Sequence, residues 1–271
     1  MRYGTLRLEQ RRVVVVSDGT GWSKAGGDTS LLEIIGGARP SWTPLGRDPS
    51  VTEFALPYRP PTIFGIGLNY RDTVREMGWD TPKVPYLFPK LSSSAIGPAD
   101  DIVVDTAMTT RVDWEAELGV VIGARCRNID VSDAMGVVFG YIAANDISAR
   151  DLQAEDGQWV RGKGLDTFCP LGPVVVTADE IDNPQAIGIR TRRNGTVVQD
   201  GTTADMIFPV PELISYCSRF FTLHPGDVLL TGTPAGSGDA RTPRISLCPG
   251  DAIEIEVEGI GRQRNTVVGP S

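Results

Sequence analysis

The chain has 271 residues, of which 41% are hydrophobic and 22% charged, with 26 Lys+Arg against 34 Asp+Glu. Those values suit an ordinary globular protein with room for one large domain, or one domain plus a small unit. A net charge of −8 argues against the basic face that non-specific nucleic-acid binding needs, and no apolar run approaches the length of a membrane-spanning helix. The four cysteines, Cys126, Cys169, Cys217 and Cys248, are too far apart for zinc or redox spacing. Cys126 and Cys217 fall in apolar runs and are expected in the core. The N-terminus shows no signal-peptide core, so a reducing cytoplasm is the expected location.

Residues 1–57 read as a small β-rich unit, with a strand over Arg12–Val16, a turn at Asp18-Gly19 and a short helix over Leu31–Ile35. The proline-rich stretch Pro57-Tyr58-Arg59-Pro60-Pro61 reads as a linker, because proline blocks both helix and ladder. The larger unit, residues 58–271, opens with a buried strand from Thr62 that runs into a loop near Tyr70. Residues 71–79 predict a short helix ending at Gly78. Strands are expected near Gly119–Ile122, Val137–Ala143, Val174–Thr177, Ile187–Thr191, Asp227–Thr231 and Ala252–Val257, the last from its strict alternation. Asn194-Gly195 predicts a hairpin turn. Phe208–Phe221 is the best helix, with apolar residues at Leu213, Tyr216, Cys217 and Phe220. The expected class is therefore mixed α/β, β-rich, with few helices.

Three carboxylates stand out against that background. Glu115 and Glu117 lie two apart in an apolar, strand-like run, so they project to one face with Ala116 turned away. The apolar run Val137–Ala144 leads to Asp146. Buried anions side by side repel one another and lose hydration unless a cation joins them. A hard divalent ion with a preference for oxygen ligands would serve. Alternatively, the pair could line a solvated edge or be neutralised by Arg111 and Arg125. Asp101, Asp105 and Asp113 read as surface residues or strand ends. Arg150 and Lys163 are cations within reach of such a site, or plain surface charge.

Other motifs carry less. Gly157 to Gly164 nearly spells a phosphate-binding loop, but Gly164 stands where a hydroxyl is needed and prolines follow. His224, the one histidine, sits in a turn signature, so imidazole-based nucleophilic catalysis is not expected.

Taken together, Gly67-Leu68-Asn69-Tyr70, Trp114-Glu115-Ala116-Glu117-Leu118, Asn145-Asp146-Ile147-Ser148-Ala149-Arg150, Arg161-Gly162-Lys163 and Gly232-Thr233-Pro234 resemble the fumarylacetoacetate hydrolase (FAH) family. The likeness runs from about residue 62 to the C-terminus. It implies a rolled mixed β-sheet, usually in a homodimer, and a Mg²⁺ or Mn²⁺ held by Glu115, Glu117 and Asp146. It further implies that Arg150, Gln153 and Lys163 face the substrate, and that Lys90 and Thr233 bind it. The expected substrate is a small 2-oxo or 1,3-diketo acid, such as an acylpyruvate. One departure matters: the family's rim motif pairs a histidine with a glutamate as acid and base. Here the glutamate remains as Glu76, but Thr73 stands at the histidine's place and cannot shuttle protons near neutral pH. Hydrolysis of a C–C bond is the first expectation. Decarboxylation, tautomerisation or isomerisation, and a non-catalytic metal- and carboxylate-binding protein, stand beside it.

Overall fold

The computed structural model describes residues 1–9 and 11–270. Eleven strands join in one mixed sheet. Its order runs Trp42–Pro44, Trp22–Ala25, Arg11–Ser17, Arg2–Leu8, Cys169–Thr177, Val138–Asn145, Ala116–Ile122, Val228–Leu230, Ile63–Gly67, Tyr86–Lys90, with Ala95–Ile96 beside Cys169–Thr177. Most neighbours are antiparallel; Val228–Leu230 runs parallel to Ile63–Gly67, as does Ala95–Ile96 to its partner. A second, five-stranded sheet is ordered Thr196–Thr202, Gly188–Arg193, Ala252–Val257, Gly261–Val268, Ile102–Val103. The helices are short, and the longest among the described residues is Val210–Phe220. The chain is thus strand-rich mixed α/β, as its sequence implies. Strands from the first 57 residues continue the large sheet through the pairing of Arg2–Leu8 with Cys169–Thr177.

Local signals account for several ends. Ser30 and Glu33 form a reciprocal cap on Leu31–Ile35, with Ser30 N–H donating to Glu33 Oε2 at 2.7 Å. Gly78, at φ +66°, closes helix Arg71–Met77 in the left-handed conformation that glycine adopts without strain. Asn194 and Gly195 are both left-handed, which is the two-residue hairpin turn expected. Helix Val210–Phe220 buries Leu213, Ile214 and Cys217, whereas Phe220 faces outward and is 56% exposed.

The large sheet is buried on both faces where it matters. Along Ala116–Ile122, residues Ala116, Leu118, Val120 and Ile122 enter one core cluster with Ile253, Ile255 and Leu213. Val121 enters the other, with Ile34, Ile35, Ile142 and Val228. Two covered faces make the strand apolar at every position except Glu117. Gly140 on the next strand is held by a close approach, because a Cβ there would meet the Val176 carbonyl oxygen at 2.1 Å. The pairing Ala116↔Asn145 and Glu117↔Ala144 brings the start of one strand beside the end of the other. The loop after Val228–Leu230 reaches the same edge, since Thr231 N–H donates to the Leu118 carbonyl at 3.2 Å.

Candidate active site

That edge gathers the charged residues. Glu117 lies inside its strand, Glu115 just before it, and Asp146 just after Asn145, where its N–H donates to the Glu115 carbonyl at 2.9 Å. One carboxylate oxygen from each of Glu115, Glu117 and Asp146 lies within 4.8 Å of the others. Asn145 Oδ1 accepts from Glu115 N–H at 3.0 Å and so fixes the backbone between the two strands.

The three acids are partnered unequally. Lys163 Nζ donates to Glu115 Oε2 and to Asp146 Oδ2, both at 2.7 Å. Lys90 Nζ donates to Asp146 Oδ1 at 2.6 Å, and Arg150 approaches Glu115 Oε1 at 2.6 Å. Glu117 accepts only the Gly232 N–H, at 2.7 Å, and among the described residues it forms no ion pair. Its carboxyl is pushed well above the usual carboxylate range by burial and by Asp146 and Glu115, against a smaller pull from Lys163. Asp146 behaves oppositely: burial would raise it, but Lys163 and Lys90 hold it below the usual range. Lys163 would be lowered by burial, yet Asp146 and Glu115 keep it above its ordinary value and therefore charged. For Arg150, too, Glu115 and Asp113 outweigh burial and hold the guanidinium's pKa up.

An unpaired buried carboxylate beside two paired ones, all offering oxygen, suits a hard divalent cation. The donor set contains no sulfur or imidazole to favour a softer metal. The neutralising partners weighed from sequence, Arg111 and Arg125, are not used here: Arg111 pairs with Asp239 at 2.6 Å and Arg125 is exposed.

A cleft partly open to solvent lies above these groups. Glu115, Arg150, Gln153, Lys163 and Thr233 all line it. Gln153 Oε1 accepts from Arg150 at 3.1 Å. The Thr233 hydroxyl donates to the Ala116 carbonyl at 2.8 Å and accepts from Gln199 at 2.9 Å. Lys90 does not line the cleft; it lies behind Asp146, its ammonium also held by the Ile147 and Lys163 carbonyls. Trp159 forms a wall, packed on Tyr86 with ring centroids 4.5 Å apart.

The rim helix Arg71–Met77 presents Thr73 and Met77 to the cleft, one helical turn apart. Thr73 Oγ1 donates to the Thr233 carbonyl at 2.7 Å. Glu76 is exposed, is absent from the cleft lining, and accepts the Gly236 N–H at 2.9 Å. His224 lies in an exposed turn, its side chain 57% accessible.

Asp113 is the residue whose surroundings the sequence hid. It ends its strand, as expected, but it is 1% exposed and binds Arg150. Its place in a two-residue series with Glu115 and Glu117 was the available signal.

A family model described as fumarylacetoacetate (FAA) hydrolase C-terminal matches residues 62–268. The chain is 43% identical over 243 residues to "Oxaloacetate tautomerase Fahd2a, mitochondrial" of Rattus norvegicus, covering 89% of this chain and 77% of that one. It is 46% identical over 207 residues to the 2,4-didehydro-3-deoxy-L-rhamnonate hydrolase of a Sphingomonas species, covering 76% and 72%. Among solved structures, the fumarylacetoacetate hydrolase of Exiguobacterium antarcticum superposes with a TM-score of 0.90 at 37% identity, each chain covered in full. A 5-carboxymethyl-2-hydroxymuconate delta-isomerase from Mycobacterium smegmatis gives 0.82 at 33% identity, again with full coverage.

Proposed function

The chain belongs to the fumarylacetoacetate hydrolase family, a family of enzymes, and from that premise we propose that it interconverts the enol and keto forms of a small 2-oxo acid of the oxaloacetate type. The observation that carries this reading is the rim. Thr73 occupies the place where the family's hydrolases carry an imidazole, and Glu76 is tied to Gly236 outside the cleft. C–C hydrolysis needs a water activated for attack on a second carbonyl, and no rim residue is placed to activate it. Enol–keto interconversion needs a stabilised enolate and a proton at carbon, both less demanding for a carbon flanked by a keto group and a carboxylate.

Glu115, Glu117 and Asp146 would hold a Mg²⁺ or Mn²⁺ ion, which when bound supplies Lewis acidity to a keto oxygen. The charged Lys163 ammonium lies in the cleft lining, where it stabilises negative charge developing on the enolate oxygen. Arg150, with Gln153 beside it, faces the cleft and orients a substrate carboxylate. Thr233 also lines the cleft and offers a further polar contact, and Lys90 keeps Asp146 ionised and in place. In the enol-to-keto direction the enol O–H gives its proton to water at the open mouth of the cleft and C3 takes one from water there; the keto-to-enol direction runs the same two transfers in reverse. Catalysis is assigned to residues 58–271. The reading also includes a homodimer and a cytoplasmic site of action, which sedimentation and cell fractionation test. No helix among the described residues is long and apolar enough to cross a membrane.

A hydrolytic reading is favoured by the hydrolase relative and by the retention of Glu76, and it requires Glu76 to leave Gly236. One experiment separates the readings. Protein loaded with Mg²⁺ or Mn²⁺ is given oxaloacetate, acetylpyruvate and fumarylpyruvate in turn. Decay of the oxaloacetate enol absorbance without CO₂ release, and with the diketo acids intact, is expected. Cleavage of the diketo acids would establish hydrolysis instead, and CO₂ release would establish decarboxylation.

A further inference from the structure

We propose that Asp113 is a positioning residue that sets the direction of the Arg150 guanidinium and couples it to the loop at Gly236–Asp239. The proposal rests on the reading of Arg150 as the group that meets a substrate carboxylate.

Local structure places Asp113 for this role. The short strand Val112–Asp113 pairs with Ser148–Ala149, with Ser148 opposite Asp113, and Arg150 N–H donates to the Arg111 carbonyl at 2.8 Å. Asp113 therefore lies beside the root of Arg150. Its Oδ2 accepts from Arg150 Nε at 2.9 Å and lies 2.8 Å from Nη2, a side-on pairing of two guanidinium nitrogens with one carboxylate. Nη2 also reaches Glu115 Oε1, and Nη1 donates to Gln153. With all three nitrogens engaged, the plane of the guanidinium is fixed before a substrate arrives.

The same carboxylate holds the loop. Asp113 Oδ1 accepts from Trp114 N–H at 2.9 Å and from Gly238 N–H at 2.6 Å, while Oδ2 accepts from Asp239 N–H at 3.2 Å. Gly238 permits this approach because a Cβ there would meet the Ile245 carbonyl oxygen at 2.0 Å. Trp114 Nε1 donates to the Gly236 carbonyl at 3.2 Å, which ties the loop down a second time. Without Asp113, the remaining carboxylate on Arg150 is Glu115. The guanidinium would then turn fully onto Glu115 and compete for the charge that the trio offers a cation.

Asp113→Asn separates the two tasks. Its oxygen still accepts from Trp114 and Gly238, which keeps the two shorter loop contacts, while its amide faces Arg150 donor to donor and gives up only the longer Asp239 N–H contact. The test is oxalate binding to Mg²⁺-saturated protein by calorimetry, oxalate being a planar mimic of a 2-oxo acid enolate. Asp113→Asn is expected to weaken oxalate about tenfold in the wild-type background and less than about twofold in the Arg150→Ala background, the pattern of coupled residues. In the metal-free protein, the Arg150 Nε–H resonance loses its protection from exchange in the same variant, while Tm falls by less than about 5 °C. Should Asp113→Asn fail to fold, Asp113→Glu carries the test, since it keeps the charge and changes the reach. An equal loss in both backgrounds, or no loss in the wild-type background, overturns the proposal. If Arg150→Ala itself leaves oxalate binding unchanged, the reading of Arg150 fails first and the proposal falls with it.

Discussion

The floor of the cleft and its rim border the same opening but are held by different means. On the floor, Lys163 and Asp146 are buried, and each meets two opposite charges at short range: Lys163 with Glu115 and Asp146, Asp146 with Lys163 and Lys90. On the rim, Thr73, Glu76, Met77 and Trp79 ride on or just beyond a seven-residue helix; Trp79 is 44% exposed and Glu76 is held by one backbone N–H. A change on the floor leaves a buried charge without its partner. A change on the rim loses little, so the choice among reactions is expected to be made there while enolate stabilisation stays constant below.

The sharpest way to break the comparison is Lys163→Met. It leaves Glu115 and Asp146 facing each other with one cation fewer. Stability is expected to fall by about 3–5 kcal/mol in urea titrations of the metal-free protein. Activity falls at least about 10³-fold, because the enolate's donor is gone. A Lys163→Met protein with near wild-type stability would mean that the floor is solvated.

Glu117→Gln sharpens the contrast within the floor itself. Metal affinity by calorimetry is expected to fall about 100-fold, since one charged ligand is lost. The metal-free protein is expected to hold its stability or gain about 1 kcal/mol, because the buried carboxyl without an ion pair is the one removed. Loss of stability would show that Glu117 has a cationic partner in solution.

The rim variants are smaller. Thr73→His is expected to raise acylpyruvate hydrolysis about tenfold, below the 10²–10⁴-fold range of a tuned base because Glu76 is turned away. Glu76→Gln keeps an acceptor for Gly236 N–H at an exposed position and is expected to change enol–keto interconversion by less than about threefold. A large loss there would return Glu76 to the cleft as a working base.

Much of this was open to a reading of residues alone, and the reasons are local. Ala252–Val257 declared itself by alternation, and Leu31–Ile35 read as a short apolar helix before Gly36-Gly37; both formed as expected. The carboxylate trio was readable because a strand's two-residue period places Glu115 and Glu117 together and apolar neighbours imply burial. What stayed hidden depends on distant segments. Asp113 is covered by a loop 125 residues further along the chain, where Gly238 meets it. Glu76 is drawn from the cleft by Gly236, 160 residues away. Lys90 carries no local sign that Asp146 and the Lys163 carbonyl will enclose it. Phe220 fits the apolar helical pattern but falls beyond the covered face and meets the Tyr216 ring edge to face instead.

The central claim is that the floor alone carries the chemistry and the rim lacks a hydrolytic base. It is tested most directly by the ratio of two kcat/KM values on one Mg²⁺-loaded preparation: oxaloacetate enol-to-keto conversion over acetylpyruvate hydrolysis. The account predicts a ratio well above one in the wild-type chain and a lower one in Thr73→His. A wild-type ratio below one, with Thr73→His no different, would contradict it.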